Sequence, residues 1–284
     1  MIPGTLRRAT AAAETRRVAL IGAAPGSVEA SWLAACAGPG LTVIGTGRDG
    51  PRTLSLVQDG VDAIVLPAAE PAYRELILTA LDRGVAVCCG PAGSTNVPAA
   101  AELAAAARRS GVPAVVAFPW RVHTALRDAR QAIAAGILGE LLTFDCTSHE
   151  DPSGVVHQLD LLRWSTGQEW TVDTVWANPG AAVTSLGLRT GPSGPYARIL
   201  TSRLGRGEPR FQLTAIGTRA TLLVVVNPRD GAGLWRLTCG SSTGERVFGA
   251  TSRNPYPEFL TSGTGPTFDD ALAAHRLARA AERP

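Results

Sequence analysis

The 284-residue chain contains no lysine; all 27 of its basic residues are arginine. No side-chain ammonium is therefore available as a proton donor, a Schiff-base amine or a phosphate clamp. Charged residues make up 18% of the chain, the net charge is +3, and no basic run is longer than two residues. That excludes the dense cationic surface a nucleic-acid partner needs. Cysteine is sparse and odd in number, at positions 36, 88, 89, 146 and 239. None of these has the spacing of a zinc site, so they read as reduced thiols used as small apolar residues, and no metal is expected. No apolar run reaches the ~20 residues of a membrane span. Arg7-Arg8 is followed by no apolar segment, so it is not read as a twin-arginine export signal. Residues 1–15 are expected to form a loose tail, and the protein is expected in the cytoplasm.

Short apolar runs and helical spacings alternate in the first part of the chain. Val18 to Gly22, Leu41 to Ile44, Val61 to Leu66, Val85 to Cys89 and Pro113 to Phe118 read as buried strands. Val28 to Ala37, Pro71 to Arg83 and Pro98 to Ser110 have helical spacing, and Arg52 to Gln58 is a candidate short helix. Strand, helix, strand at this interval gives βαβ units and a parallel sheet. The pattern changes after Trp120. A helix is expected from Thr124 to Ala135, stopped at Gly136, then a strand from Leu141 to Ser148. Between Val172 and Val247 strand-like segments are separated by Gly, Pro and Asn, which implies a mostly antiparallel, open sheet. Asp269 to Ala281 reads as a closing helix. The expected fold is therefore an α/β Rossmann-like domain over residues 16–120, followed by an α+β domain over 121–284 with an open, mostly antiparallel sheet. Too few helices remain to cover both faces of that sheet, so pairing with another copy or a related subunit is expected.

One stretch stands out, Ser153 to Gly167. It reads as a helix ended by a glycine able to take the left-handed conformation of a helix stop. Leucines and Trp164 surround most of it, so it is expected to be buried. It nevertheless carries His157 and Asp160, three apart and on one face. A buried imidazole needs a cleft or a polar partner. A core histidine bonded to a carbonyl is one reading; an acid/base in a cleft is the other.

The order of these pieces resembles the glucose–fructose oxidoreductase / inositol dehydrogenase family, often written Gfo/Idh/MocA. Arg17 to Gly22 is similar to its first strand, and Val61 to Pro67 to its "D-A-V" strand. Ala80 to Val87 is similar to its "A-L-x-x-G-K-H-V" segment. Phe118 to Arg121 and Ile133 to Glu140 resemble its linker into the second domain. Val156 to Gly167 resembles its "H-x-x-D-x-x-R-W-L-T-G" helix, and Ala215 to Leu222 its late "G-T-x-G-x-L" hairpin. The resemblance covers nearly the whole chain. It implies an NAD(P)-dependent oxidoreductase acting on a small polar, sugar- or polyol-like substrate.

Under that resemblance the nucleotide would lie on Gly22, Ala24, Gly26, Ser27, Gly47, Arg48 and Pro67. The phosphate turn departs from G-x-G-x-x-G: it reads Gly22-Ala23-Ala24-Pro25-Gly26-Ser27, with a methyl at Ala24 and a serine for the third glycine. The second strand ends without the ribose-gripping acid. Gly47-Arg48 stands there instead, which favours NADP over NAD; a solvated loop charge is the plain alternative. The segment before Val61 is too short for the further helix and strand the family usually carries. The family's catalytic lysine would follow the fourth strand, where this chain has Gly90-Pro91, and its catalytic Asp falls on Ser153. His157 is then the surviving acid/base, with Ser153 and the hydroxyl of Tyr73 as secondary candidates and Arg121 and Asp160 beside the substrate. His149 and Asp151 are nearby substitutes. The erosion leaves a second reading open: a catalytically silent member that acts as a partner subunit or a small-metabolite binding protein.

Overall fold

The computed structural model describes residues 16–22, 28–36, 41–47, 60–66, 73–91, 97–149, 155–178, 183–202, 211–228, 230–250 and 254–282. The chain builds two sheets in succession. The first has five strands: β1 (Arg16–Ile21), β2 (Leu41–Gly47), β3 (Ala63–Leu66), β4 (Ala86–Cys89) and β5 (Ala114–Val116). All its pairings are parallel, in the order β2-β1-β3-β4-β5. Its strands are apolar without alternation because both faces are covered. On one face α2 (Tyr73–Asp82) and α3 (Val97–Ser110) pack on Ile64, Val87 and Val116. On the other, α1 (Val28–Ala34) packs on Val18, Leu20 and Val65. The candidate helix at Arg52 to Gln58 lies outside the described residues.

A short connection, α4 (Pro119–Val122) and α5 (Thr124–Ala134), leads into β6 (Leu141–Ser148) and then α6 (Val155–Thr166). Seven further strands follow: β7 (Thr171–Asn178), β8 (Val183–Arg189), β9 (Tyr196–Ser202), β10 (Phe211–Gly217), β11 (Thr221–Val226), β12 (Gly233–Cys239) and β13 (Ser242–Phe248). With β6 they form an eight-stranded sheet, antiparallel except for the parallel pair β6–β9. Strand β13 carries no apolar alternation and is mostly exposed, which is why its sequence does not announce it.

The second sheet has a packed face and an open one. Phe144, Cys146, Leu213, Leu222 and Ile199 point into a core shared with α5 and α6. The opposite row runs across all eight strands: Val247, Leu234, Val225, Gln212, Thr147, Leu200, Ser185 and Trp176. Trp176 is 57% exposed and Val247 75%. No described helix covers this face.

Two C-terminal helices return to the first sheet. Helix α7 (Tyr256–Ser262), too short and proline-bounded for its spacing to signal a helix, buries Tyr256, Phe259 and Leu260 on the α1 side. Helix α8 (Phe268–Ala281) starts at a Thr267–Asp270 capping box, two reciprocal bonds that satisfy its first amides. Its first half, Phe268, Ala271 and Leu272, joins the core of the first sheet; Ala274 and Leu277 join that of the second. The entry to α8 also covers the edge of β5, where the Val116 amide donates to the Pro266 carbonyl at 2.7 Å. One helix thus contributes to both hydrophobic cores. No described helix is long and apolar enough to cross a membrane.

Candidate active site

In an open parallel sheet, ligands settle beyond the carboxyl ends of the strands, where successive connections leave in opposite directions. With β2 on one side of β1 and β3 on the other, that point is the β1/β3 junction. Gly22 ends β1 there with φ +83°, a left-handed conformation that glycine takes without strain. Tyr73, the first residue of α2, lies across it, and its hydroxyl occupies the place where a Cβ on residue 22 would stand. The ring is 7% exposed. Gly47 closes β2 on the other side of β1. Ala24, Gly26, Ser27, Arg48 and Pro67 lie outside the described residues, as does Ser153.

The carboxyl ends of β4 and β5 form the floor beside this junction. The Ala117 amide donates to the Cys89 carbonyl at 2.7 Å, and the Gly90 amide to that of Leu66 at 2.8 Å. Phe118 follows β5 and is 1% exposed. His157, in the first turn of α6, meets its ring edge-on, with centroids 5.6 Å apart and planes at 87°. The half-buried imidazole therefore lies at the carboxyl edge of the parallel sheet. Helix α6 gets there because residues 158 to 162 are buried all round, as the run of leucines requires. Gly167 stops it with φ +66°, its amide donating to the Arg163 carbonyl at 2.8 Å.

Arg121 and Asp160, expected beside the substrate, are turned toward each other. The Arg121 Nε donates to Asp160 Oδ2 at 2.8 Å and its Nη2 to Oδ1 at 2.5 Å. Asp160 is 1% exposed, and burial pushes its carboxyl up to about 6 although the guanidinium opposes the shift. Asp270, in the first turn of α8, takes the same guanidinium at 3.2 Å. Burial acts upward on Asp270 as well, but Arg121 and the Thr267 bonds prevail and hold it below its ordinary value. One arginine therefore joins the linker, the histidine-bearing helix and the C-terminal helix.

Two further histidines stand at strand ends. His149, just after β6, bonds the Ser202 hydroxyl at the end of β9, 2.6 Å from its Nδ1. Beside that pair the Thr201 hydroxyl, in a residue 2% exposed, has no hydrogen-bond partner among the described residues. His275 on α8 places Nε2 2.5 Å from the Pro91 carbonyl, at the exit of β4. Burial lowers its pKa, outweighing that bond. Nothing in the chain's pattern signals His275, since its partner is a backbone carbonyl 184 residues away. His123 belongs to the interior: it is fully buried, with Nε2 2.9 Å from the Gly231 carbonyl.

The chain is similar to inositol dehydrogenases. It is 30% identical over 129 residues to the myo-inositol dehydrogenase Hyg17 of Streptomyces leeuwenhoekii, covering 40% of each chain. It is 31% identical over 129 residues to an inositol 2-dehydrogenase of Streptomyces avermitilis, covering 41% of this chain and 38% of that one. The match thus spans about two fifths of the curated relatives. The fold match is far longer. An inositol dehydrogenase homologue of Azotobacter vinelandii, solved with NAD+, aligns with TM-score 0.78 at 13% identity over 94% of both chains. These similarities support the resemblance to the Gfo/Idh/MocA family, and the fold is that family's. Within this family's fold it also matches KijD10, a 3-ketoreductase of Actinomadura kijaniata in complex with NADP. There the TM-score is 0.74 at 19% identity, over 94% of this chain and 96% of that one. No family model matches the sequence. The Gfo/Idh/MocA two-domain fold, a parallel sheet followed by a mostly antiparallel one, accounts for nearly the whole chain.

Proposed function

We propose that the protein is an NAD(P)-dependent oxidoreductase acting on a small polar, sugar- or polyol-like molecule, with His157 as its acid/base. The observation that carries this reading is the placement of His157. A titratable ring stands against Phe118 at the carboxyl edge of a parallel sheet, where such folds hold their ligands. An imidazole is the side chain suited to exchanging a proton near neutral pH. Tyr73 and Ser153 are secondary donors, and His149, fixed by Ser202, is the next candidate to touch the substrate.

In the described part of the junction the strand order places the crevice for a dinucleotide beside Gly22, with the Tyr73 hydroxyl filling the space a Gly22 side chain would take. Gly22, Ala24, Gly26, Ser27, Gly47, Arg48 and Pro67 would hold it, with Arg48 favouring the 2′-phosphate of NADP. When bound, a nicotinamide supplies or accepts the hydride. The chain's own part is to hold the substrate oxygen near His157, move its proton and exclude water from the floor formed by Phe118. With no lysine in the chain, no ammonium polarises that oxygen. One lost donor of this kind costs roughly 10²–10³ in rate.

The open face of the second sheet supports a homo-oligomer or pairing with a related subunit. Eight strands at ~4.8 Å by about seven residues at ~3.4 Å give roughly 900 Å², close to the ~800 Å² per partner of a standard interface. The five cysteines, none of them in a disulfide among the described residues, fit a reducing cytoplasm. A silent, non-redox member is the second reading, favoured by the Pro91 carbonyl already being taken by His275 at the exit of β4. The test is a screen of short polyols, sugar acids and imines with both pyridine nucleotides, comparing wild type with His157→Ala. Turnover lost in the variant supports the reading. Turnover that survives points to His149, Asp151 or Tyr73, and no turnover with no nucleotide binding supports the silent member.

A further inference from the structure

We propose that Arg121 is a positioning residue for His157, an inference that rests on the acid/base reading above. Arg121 does not reach the imidazole in order to do this; it grips the two things that hold the imidazole. The first is helix α6. Its fork closes on Asp160, one turn after His157, through bonds of 2.8 and 2.5 Å, and its guanidinium carbon lies 5.8 Å from the Trp164 ring centroid, one turn further on. The second is Phe118. The same guanidinium carbon is 5.6 Å from that ring's centroid, and Phe118 is the ring His157 meets edge-on. Asp270 fixes the other side of the guanidinium at 3.2 Å, so the arginine itself has little freedom.

Packing alone does not explain the arrangement. The leucines of α6 would bury the helix without any ion pair, and replacing a buried ion pair by apolar side chains is often neutral or stabilising. What a fork-to-carboxylate pair adds is direction: two parallel bonds fix the rotation and depth of a helix that leucine packing leaves free to adjust. Displacing a reacting group by ~1 Å costs about 10²-fold in rate. An acid/base in the first turn of α6 needs its helix fixed in this way.

The test uses Arg121→Lys, which keeps the charge and loses the fork, and Asp160→Asn, which keeps the shape and leaves Arg121 paired with Asp270. The first readout is the ¹H–¹³C ring resonance of His157, one of four histidines, assigned by its loss in His157→Gln. In both variants it should move toward its position in Phe118→Leu, where the ring that shifts it is gone. The second readout is steady-state kinetics with whichever substrate turns over. There kcat should fall about 10²-fold, with KM and NADPH affinity within about threefold of wild type and a larger residual kcat for Arg121→Lys than for Arg121→Met. A His157 resonance that coincides with wild type in folded Arg121→Lys and Asp160→Asn would overturn the proposal. That result is readable even if the protein turns over no substrate, an outcome that would count against the oxidoreductase reading instead.

Discussion

Tyr73 and Gly22 occupy each other's space: the phenol hydroxyl rests where residue 22 would carry a methyl group. The contact joins the end of β1 to the start of α2, at the junction where the strand order reverses. It makes the first glycine of the turn indispensable for two separate reasons, its φ of +83° and its missing side chain.

Gly22→Ala should therefore destabilise the protein. The left-handed backbone alone costs an alanine roughly 1–2 kcal/mol, and the overlap with Tyr73 adds to it. In a Tyr73→Phe background the hydroxyl overlap is gone, so the same substitution should cost less. Thermal melts of the four proteins measure this; equal costs in both backgrounds would remove the overlap from the explanation.

The carboxyl of Asp160 sets a pH dependence. Its folded value of about 6 lies above the ordinary 3.8 because burial penalises the charge. Such a group contributes its stability below about pH 4 and loses it as pH rises through about 6. Asp270 works in the opposite sense: held low by Arg121 and Thr267, its contribution is present above the ordinary value and lost as the pH falls below it. Between pH 4 and 6.5 the melting temperature of Asp160→Asn should thus improve relative to wild type. A constant gap between the two curves across that range would show that Asp160 ionises at its usual value.

Arg48, next in sequence after Gly47, is the residue proposed to favour NADP over NAD. NADPH should bind more tightly than NADH, and Arg48→Ala should remove most of the difference while leaving NADH binding close to wild type. Fluorescence titration gives both affinities. Equal wild-type affinities would leave the arginine with no role in the choice.

The open sheet face should hold copies or relatives together. Ile216 is 39% exposed on that face, so Ile216→Arg costs the monomer little and places a charge in the expected contact. Light scattering should show an oligomer for wild type and a smaller species for the variant. A wild-type monomer at micromolar concentration would contradict the face-to-face arrangement.

The sequence made the first sheet legible because its strands are short apolar runs buried on both sides, and Val61 to Leu66 cannot be read otherwise. Helix α6 was equally plain, with its buried leucines and Gly167 stop. Strand β13 was not, since an exposed edge strand of Ser, Thr, Glu and Arg carries no alternation. Nor was the return of α7 and α8 to the first sheet, because Phe259 and Phe268 find partners more than 140 residues earlier in the chain. At the site, spacing alone put His157 and Asp160 on one face of a helix. It left open that Asp160 would be closed off by Arg121, or that His275 would meet the exit of β4, since both contacts are fixed by tertiary packing.

The most direct measurement is a calorimetric titration of the purified protein with NADPH. A nicotinamide-dependent enzyme should show one saturable site per chain in the range of about 1 μM to 1 mM, unaffected by His157→Ala and lost or weakened in Gly22→Ala. No saturable heat with NADPH or NADH at ~1 mM would contradict the oxidoreductase reading.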